Sequence, residues 1–218
     1  MVPVLHYAPD NASLVIPLAL EHLGLPYETR LVDRRSRAQK SAAYLALNPA
    51  GRIPVLETDE GPVFETAAIL IWLDDRHGGL MPRPRGASLS WLLWLANTLH
   101  PLLIDLFYPD RAAPEGMVET AQSHRRGRID GCLDLLDAQA LPDAVALDAY
   151  LCAMLRWLSL YPVDGNPGLD LRRWPSLHAR AAAFETTDAS RAAARAEGLG
   201  PYPCTDPRLP DPPEGSAT

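Results

Sequence analysis

Strand and helix signals alternate through the first 77 residues, and beyond residue 87 no strand signal survives. That order restricts the chain to an α/β unit followed by an all-helical unit. Residues 2–7 (VPVLHY) form a short apolar run that stops at Pro9-Asp10, which predicts a strand and a turn. Residues 13–23 read as a helix with Pro17 in its first turn, where a missing N–H costs little, and Gly24 as its stop. A second strand follows over 27–33, then a short helix over 41–47 that ends at Asn48-Pro49-Ala50-Gly51. Residues 55–58 and 62–64 flank the turn Asp59-Glu60-Gly61 as a hairpin, and 66–76 carries Ala68, Ile69, Trp72 and Leu73 at core spacing. The first unit is therefore βαβαββα.

Residues 78–87 are rich in Gly and Pro and read as a linker. The second unit, 88–200, opens with a long helix over 88–108 in which Trp91, Trp94, Leu95, Leu99, Leu102 and Leu106 recur every three or four residues, with a kink expected at Pro101. Further helices are expected over 115–140, 147–161, 175–184 and 188–197. The remainder, 201–218, holds six of the 22 prolines and reads as a tail extended over the surface.

The balance of 20 Lys+Arg against 27 Asp+Glu gives a net charge of -7, which argues against nucleic acid or an anionic membrane as partner. No run approaches the roughly 18 apolar residues of a membrane span, and no signal peptide is visible, so the cytoplasm is the expected location. Three cysteines, Cys132, Cys152 and Cys204, are too few and scattered for a disulfide framework. The six histidines show no metal-ligand spacing, so no metal is expected.

Three local features carry chemistry. Ser13 stands at the start of the first helix, where N–H groups and the dipole favour an anion, although a Ser there also serves as an ordinary N-cap. In Asn48-Pro49-Ala50-Gly51-Arg52-Ile53-Pro54-Val55, a proline opening a strand is a candidate cis peptide; a cis bend would leave the Ile53 backbone free to pair with an extended peptide. Glu65-Thr66 precedes the third helix; Thr66 is expected to cap it, and the pair suits the head group of an amino acid, carboxylate on Thr66 and ammonium on Glu65.

The stretch NPAGRIPVLETDEGPVFETAAILIWLDDRHG resembles the N-terminal signature of the cytosolic glutathione transferases. The opening YAPDNASLVIPLALEHLGLPYE is similar to the bacterial beta-class start, and DAYLCAMLRW resembles the core helix of the family. The resemblance implies a thioredoxin-like domain joined to a helical domain, a homodimer, glutathione as co-substrate and a hydrophobic electrophile. It implies that Ile53 pairs with the cysteinyl backbone of glutathione, that Pro54 is the cis-proline, and that Glu65 and Thr66 hold the γ-glutamyl head. Arg52 is expected to reach a glutathione carboxylate, and His100 matches a beta-class active-site histidine, followed here by Pro101 in place of the usual Lys.

Where beta-class members carry a catalytic cysteine this chain has Ala12, and no Cys precedes position 132. Exchange through a protein thiol at that position is therefore excluded, leaving activation of the glutathione thiol by a hydroxyl, as in the serine-type classes of the family this chain resembles. Ser13 is the first candidate for that role, with Tyr7 and Asn11 as rivals. Val145 stands where the family's core helix usually has its capping Ser or Thr, so an earlier start capped by Asp143 is expected. A non-catalytic protein that keeps the fold is the rival reading.

Overall fold

The protein is described here from a computed structural model over residues 1–109, 117–161 and 168–216. The N-terminal unit is a four-stranded sheet of β1 (Val4–Tyr7), β2 (Glu28–Leu31), β3 (Val55–Thr58) and β4 (Gly61–Phe64) in the order β2-β1-β3-β4. β1 and β2 run parallel, which requires a crossover, and α1 (Val15–Leu23) supplies it. β3 runs antiparallel to β1 with Leu56 opposite Leu5, and both leucines are fully buried. α2 (Ala42–Leu47) starts where Ser41 accepts the Tyr44 N–H, and α3 (Thr66–His77) follows β4. The expected βαβαββα order is present.

After α3 the chain leaves the sheet. The fully buried Asp74 holds that exit, its carboxylate accepting the N–H groups of Leu80 and Met81, each at 3.0 Å. The long helix is continuous from Gly86 to Phe107 as α4 (Gly86–Trp94), a π turn (Leu95–Leu99) and α5 (His100–Phe107). The π turn lies just ahead of Pro101, whose ring cannot donate into the ladder; widening that turn accommodates the proline inside the helix. At 22 residues this helix is long and apolar enough to cross a membrane by length and composition alone, which corrects the expectation that no run qualifies. In this fold Leu92, Leu95, Leu99, Leu102, Leu103 and Leu106 belong to the central core.

The remaining helices are α6 (Val118–Asp137), α7 (Val145–Leu160), α8 (Pro175–Glu185) and α9 (Asp188–Ala196). The first residues of the helix expected over 115–140, 115 and 116, lie outside the described residues. α7 is buried along nearly its whole length, and α1 packs against both α7 and α9, so one core runs through the two units.

The expected cap by Asp143 is corrected. α7 begins after Ala144 without a side-chain cap. Its entry is held instead by Arg180 of α8, which pairs with Asp148 and donates to the carbonyls of Leu141 and Pro142, and by the Ala146 N–H on Leu80. The cysteine expectation is corrected as well. Cys152 of α7 is joined to Cys204, tying the C-terminal segment to the core helix, and Cys132 is free.

Candidate functional site

The loop from α2 to β3 is built around Asn48, which is buried and caps its own turn. Its side chain accepts the Ala50 N–H and donates to the Arg52 carbonyl, and Tyr44 donates to that same carbonyl, each side-chain donation at 2.8 Å. Gly51 has φ +60, and a Cβ there would lie 2.9 Å from the Gln39 carbonyl, so only glycine fits. With the Arg52 carbonyl pinned from two sides, the chain enters the Ile53–Pro54 peptide, which is cis. Ile53 is half-buried and Arg52 exposed.

On the next segment Glu65 adopts φ 71, left-handed for a residue with a Cβ. Such a conformation persists only where the surroundings impose it, and it recurs at functional sites. Glu65 is the N-cap position of α3, with no side-chain cap bond, which corrects the expectation that Thr66 caps the helix; Thr66 is its first residue. The Glu65 carboxylate is exposed and Thr66 is buried.

The helical unit meets this edge through α5 and α7. The His100 Nδ1 lies 2.7 Å from the Tyr150 hydroxyl, and the His100 ring packs against Trp157 at 5.7 Å between centroids. Burial, reinforced by the nearby Arg52 guanidinium, pushes the His100 pKa down to about 4, so the imidazole is neutral at physiological pH. Burial raises the Tyr150 phenol, Glu65 opposes its ionisation further, and the neighbouring Thr66 favours it. Arg52, Glu65, Thr66, His100 and Tyr150 are thus brought together from separate elements.

The turn after β1 places the three candidate thiol donors differently. Asn11 is the N-cap of a 3-10 turn (Ala12–Leu14) that runs into α1, and its side-chain oxygen accepts the Ala12 N–H at 2.8 Å. Asn11 is half-buried. Ser13 is fully buried; its hydroxyl donates to the Ala8 carbonyl at 2.9 Å and accepts the Ala8 N–H at 3.2 Å. The Ser13 hydroxyl, the first candidate for the thiol, thus closes the turn on Ala8. Tyr7 is nearly buried, and its hydroxyl donates to Glu214 of the C-terminal segment, which together with burial raises its pKa.

Several residues around this turn were not singled out from sequence. The Asp10 carboxylate is buried and paired with the fully buried Arg156 of α7, at 2.9 Å to Nε. Trp157 Nε1 and the Tyr161 hydroxyl donate to it too, and the Asp10 N–H donates to Glu197. Burial pushes the Glu197 carboxyl up to about 8. Arg156 did carry a signal, a lone cation inside the apolar run of α7, which implies a buried acid without saying which one. Tyr150 and Glu214 carry none, since each acts across more than 49 positions. Among the described residues no cluster of His, Cys, Asp and Glu suits a metal.

The family model for the glutathione S-transferase N-terminal domain matches residues 12–76. Glutathione S-transferase GST-4.5 of Xanthomonas campestris is 28% identical over 209 residues, which is 89% of this chain and 98% of that protein. Glutathione S-transferase GstA of Escherichia coli O157:H7 is 30% identical, covering 70% of this chain and 81% of that protein. Among solved structures, a sphingomonad glutathione S-transferase complexed with glutathione superposes with a TM-score of 0.74 at 29% identity, covering 90% of this chain and 100% of that one. With this sheet, these helices and these relatives, the chain belongs to the cytosolic glutathione S-transferase superfamily.

Proposed function

We propose that the protein is a glutathione transferase that holds the glutathione thiol as a thiolate beside Asn11 and presents it to a hydrophobic electrophile under the helical unit. The observation that carries this reading is the convergence of Arg52, Glu65, Thr66, His100 and Tyr150 on one edge of the sheet. The relatives named as glutathione S-transferases, one of them solved with glutathione bound, support it.

In this reading the Ile53 backbone pairs with the cysteinyl part of the tripeptide, in the manner of an added strand. Thr66 at the start of α3 takes the γ-glutamyl carboxylate, where the helix dipole favours an anion. Glu65 takes the ammonium, and Arg52 takes another carboxylate. Neutral His100 lines the wall opposite. A free thiol has a pKa of about 8.5, so bringing it to about 7 requires roughly 2 kcal/mol of preference for the thiolate. The NH2 of the Asn11 carboxamide is the donor assigned to this task, because the Ser13 and Tyr7 hydroxyl protons and the Ala12 N–H are committed elsewhere.

The same reading makes the protein a cytoplasmic homodimer. Exposed Phe64 and Leu93, with half-exposed Trp91 and Trp94, offer apolar area for a second copy. The net charge of -7 remains the argument against nucleic acid and membrane partners.

Calorimetric titration with glutathione, paired with a conjugation assay against an aryl halide, tests the proposal. Micromolar to millimolar binding that Thr66→Val weakens, together with turnover, is the expected result. Binding without turnover of any electrophile or disulfide favours a non-catalytic glutathione-binding protein, and absence of binding sinks both readings.

A further inference from the structure

We propose that Asp10 and Arg156 are positioning residues that set the thiol-presenting turn from the helical unit, an inference that rests on the transferase reading above. Asp10 has φ 49, in the left-handed region that favours glycine. Locally the Ser13 hydroxyl ties the turn to Ala8, while the Asp10 side chain is held from far along the chain. Its carboxylate is clamped by α7 and the residue that follows: Arg156 Nε at 2.9 Å and Nη2 at 3.0 Å, Trp157 Nε1 at 3.1 Å, and the Tyr161 hydroxyl at 2.5 Å. Its N–H is taken by Glu197 at 2.8 Å.

Two further N–H groups of Arg156 go to the carbonyls of Pro203 and Arg208, at 3.1 and 2.9 Å. One guanidinium therefore fixes the turn after β1 and the C-terminal segment whose Glu214 meets Tyr7. The next residue after Asp10 is Asn11, followed by the 3-10 turn at Ala12. Trp157, which donates to Asp10, also packs on His100. The clamp thus reaches both walls of the candidate thiol position.

Stability alone is a poor explanation for such a pair. Replacing a buried ion pair by apolar groups of similar size is often neutral or stabilising, whereas removing one partner is costly. Strained backbone held from outside is instead a feature of sites that must be preorganised. Rotation of the Asp10–Asn11 peptide would turn the NH2 of the Asn11 carboxamide away from the thiol, so the clamp acts on the thiol through this group.

The double variant Asp10→Gly/Arg156→Met separates the two roles. It leaves no unpaired buried charge, and glycine adopts the φ of residue 10 without strain. Glutathione affinity by calorimetry, the bound thiolate by ultraviolet titration against pH, and urea unfolding are measured on wild type, on this variant and on Asp10→Asn. The double variant is expected to bind glutathione within about threefold of wild type, since Ile53, Glu65 and Thr66 are untouched. Its bound thiol is expected to titrate about one unit higher, a roughly fivefold smaller thiolate fraction at pH 7. A change in stability with no movement of the thiol titration overturns the proposal. If the double variant fails to fold, the same titration on Asp10→Asn decides, with the same direction expected. A wild type that binds glutathione without forming a thiolate overturns the transferase reading and this proposal with it; a wild-type thiolate that neither variant moves overturns this proposal alone.

Discussion

The Tyr150 hydroxyl of α7 lies 2.7 Å from His100 Nδ1 of α5, and the same phenol stands beside Thr66 at the start of α3. This one side chain connects the helical unit to the edge of the sheet. Tyr150 is 2% exposed, so its hydroxyl depends on these neighbours for its hydrogen bonds. Tyr150→Phe keeps the ring and removes the link. It is expected to weaken glutathione binding severalfold through Thr66 and to cost about 1 kcal/mol of stability, read by calorimetry and urea unfolding.

His100 makes a pH prediction with a definite sign. Its folded pKa is lowered to about 4 from 6.5, so between those values the unfolded chain binds more protons than the folded one. Stability therefore rises with pH across that window and is lost as pH falls through it, at up to about 1.4 kcal/mol per pH unit. The imidazole Cε1 proton in NMR is expected to titrate well below pH 6, and His100→Phe is expected to flatten this part of the stability profile.

Glu197 predicts the opposite slope. Its folded pKa is raised to about 8, chiefly by burial, so from about 4.5 to 8 the folded state holds the extra proton and stability falls as pH rises. Glu197→Gln keeps an acceptor for the Asp10 N–H while removing the charge. Urea midpoints taken from pH 5 to pH 8 should decline less in this variant than in wild type.

How far the sequence reached depends on the range of each interaction. Every β-strand and α-helix was legible, because hydrophobic periodicity and turn residues are local signals. Asn48-Pro49-Ala50-Gly51 and the Ile53–Pro54 peptide were legible for the same reason, since that loop bonds mainly within itself. The turn after β1 was not. The helix opens one residue earlier than expected, as a 3-10 turn capped by Asn11, and that shift turns the Ser13 hydroxyl inward to Ala8. Asp10 and Arg156 are 146 positions apart, and only folding brings them together. The Cys152–Cys204 bond had no spacing signal either.

The disulfide gives a direct count. Under denaturing, non-reducing conditions one thiol per chain, Cys132, should react with a thiol reagent, rising to three after reduction. Three reactive thiols before reduction would show the C-terminal segment unlinked from α7.

Tyr7 and Asn11 are separated by their hydrogen bonds. Because Tyr7 donates to Glu214, Tyr7→Phe is expected to change kcat/KM less than threefold, whereas Asn11→Ala is expected to cost tenfold or more, about 1.4 kcal/mol. The reverse order would transfer the thiol to Tyr7 and require the C-terminal segment to release it during turnover.

The central claim is that this chain, without a cysteine at the turn, ionises the thiol of bound glutathione. Ultraviolet difference titration of the complex against pH tests it most directly, in wild type and in Asn11→Ala. A thiolate signal already present at pH 7 in wild type, and displaced to higher pH by Asn11→Ala, is the predicted result. A bound thiol that ionises only near pH 8.5 to 9, as it does free in solution, would contradict the account.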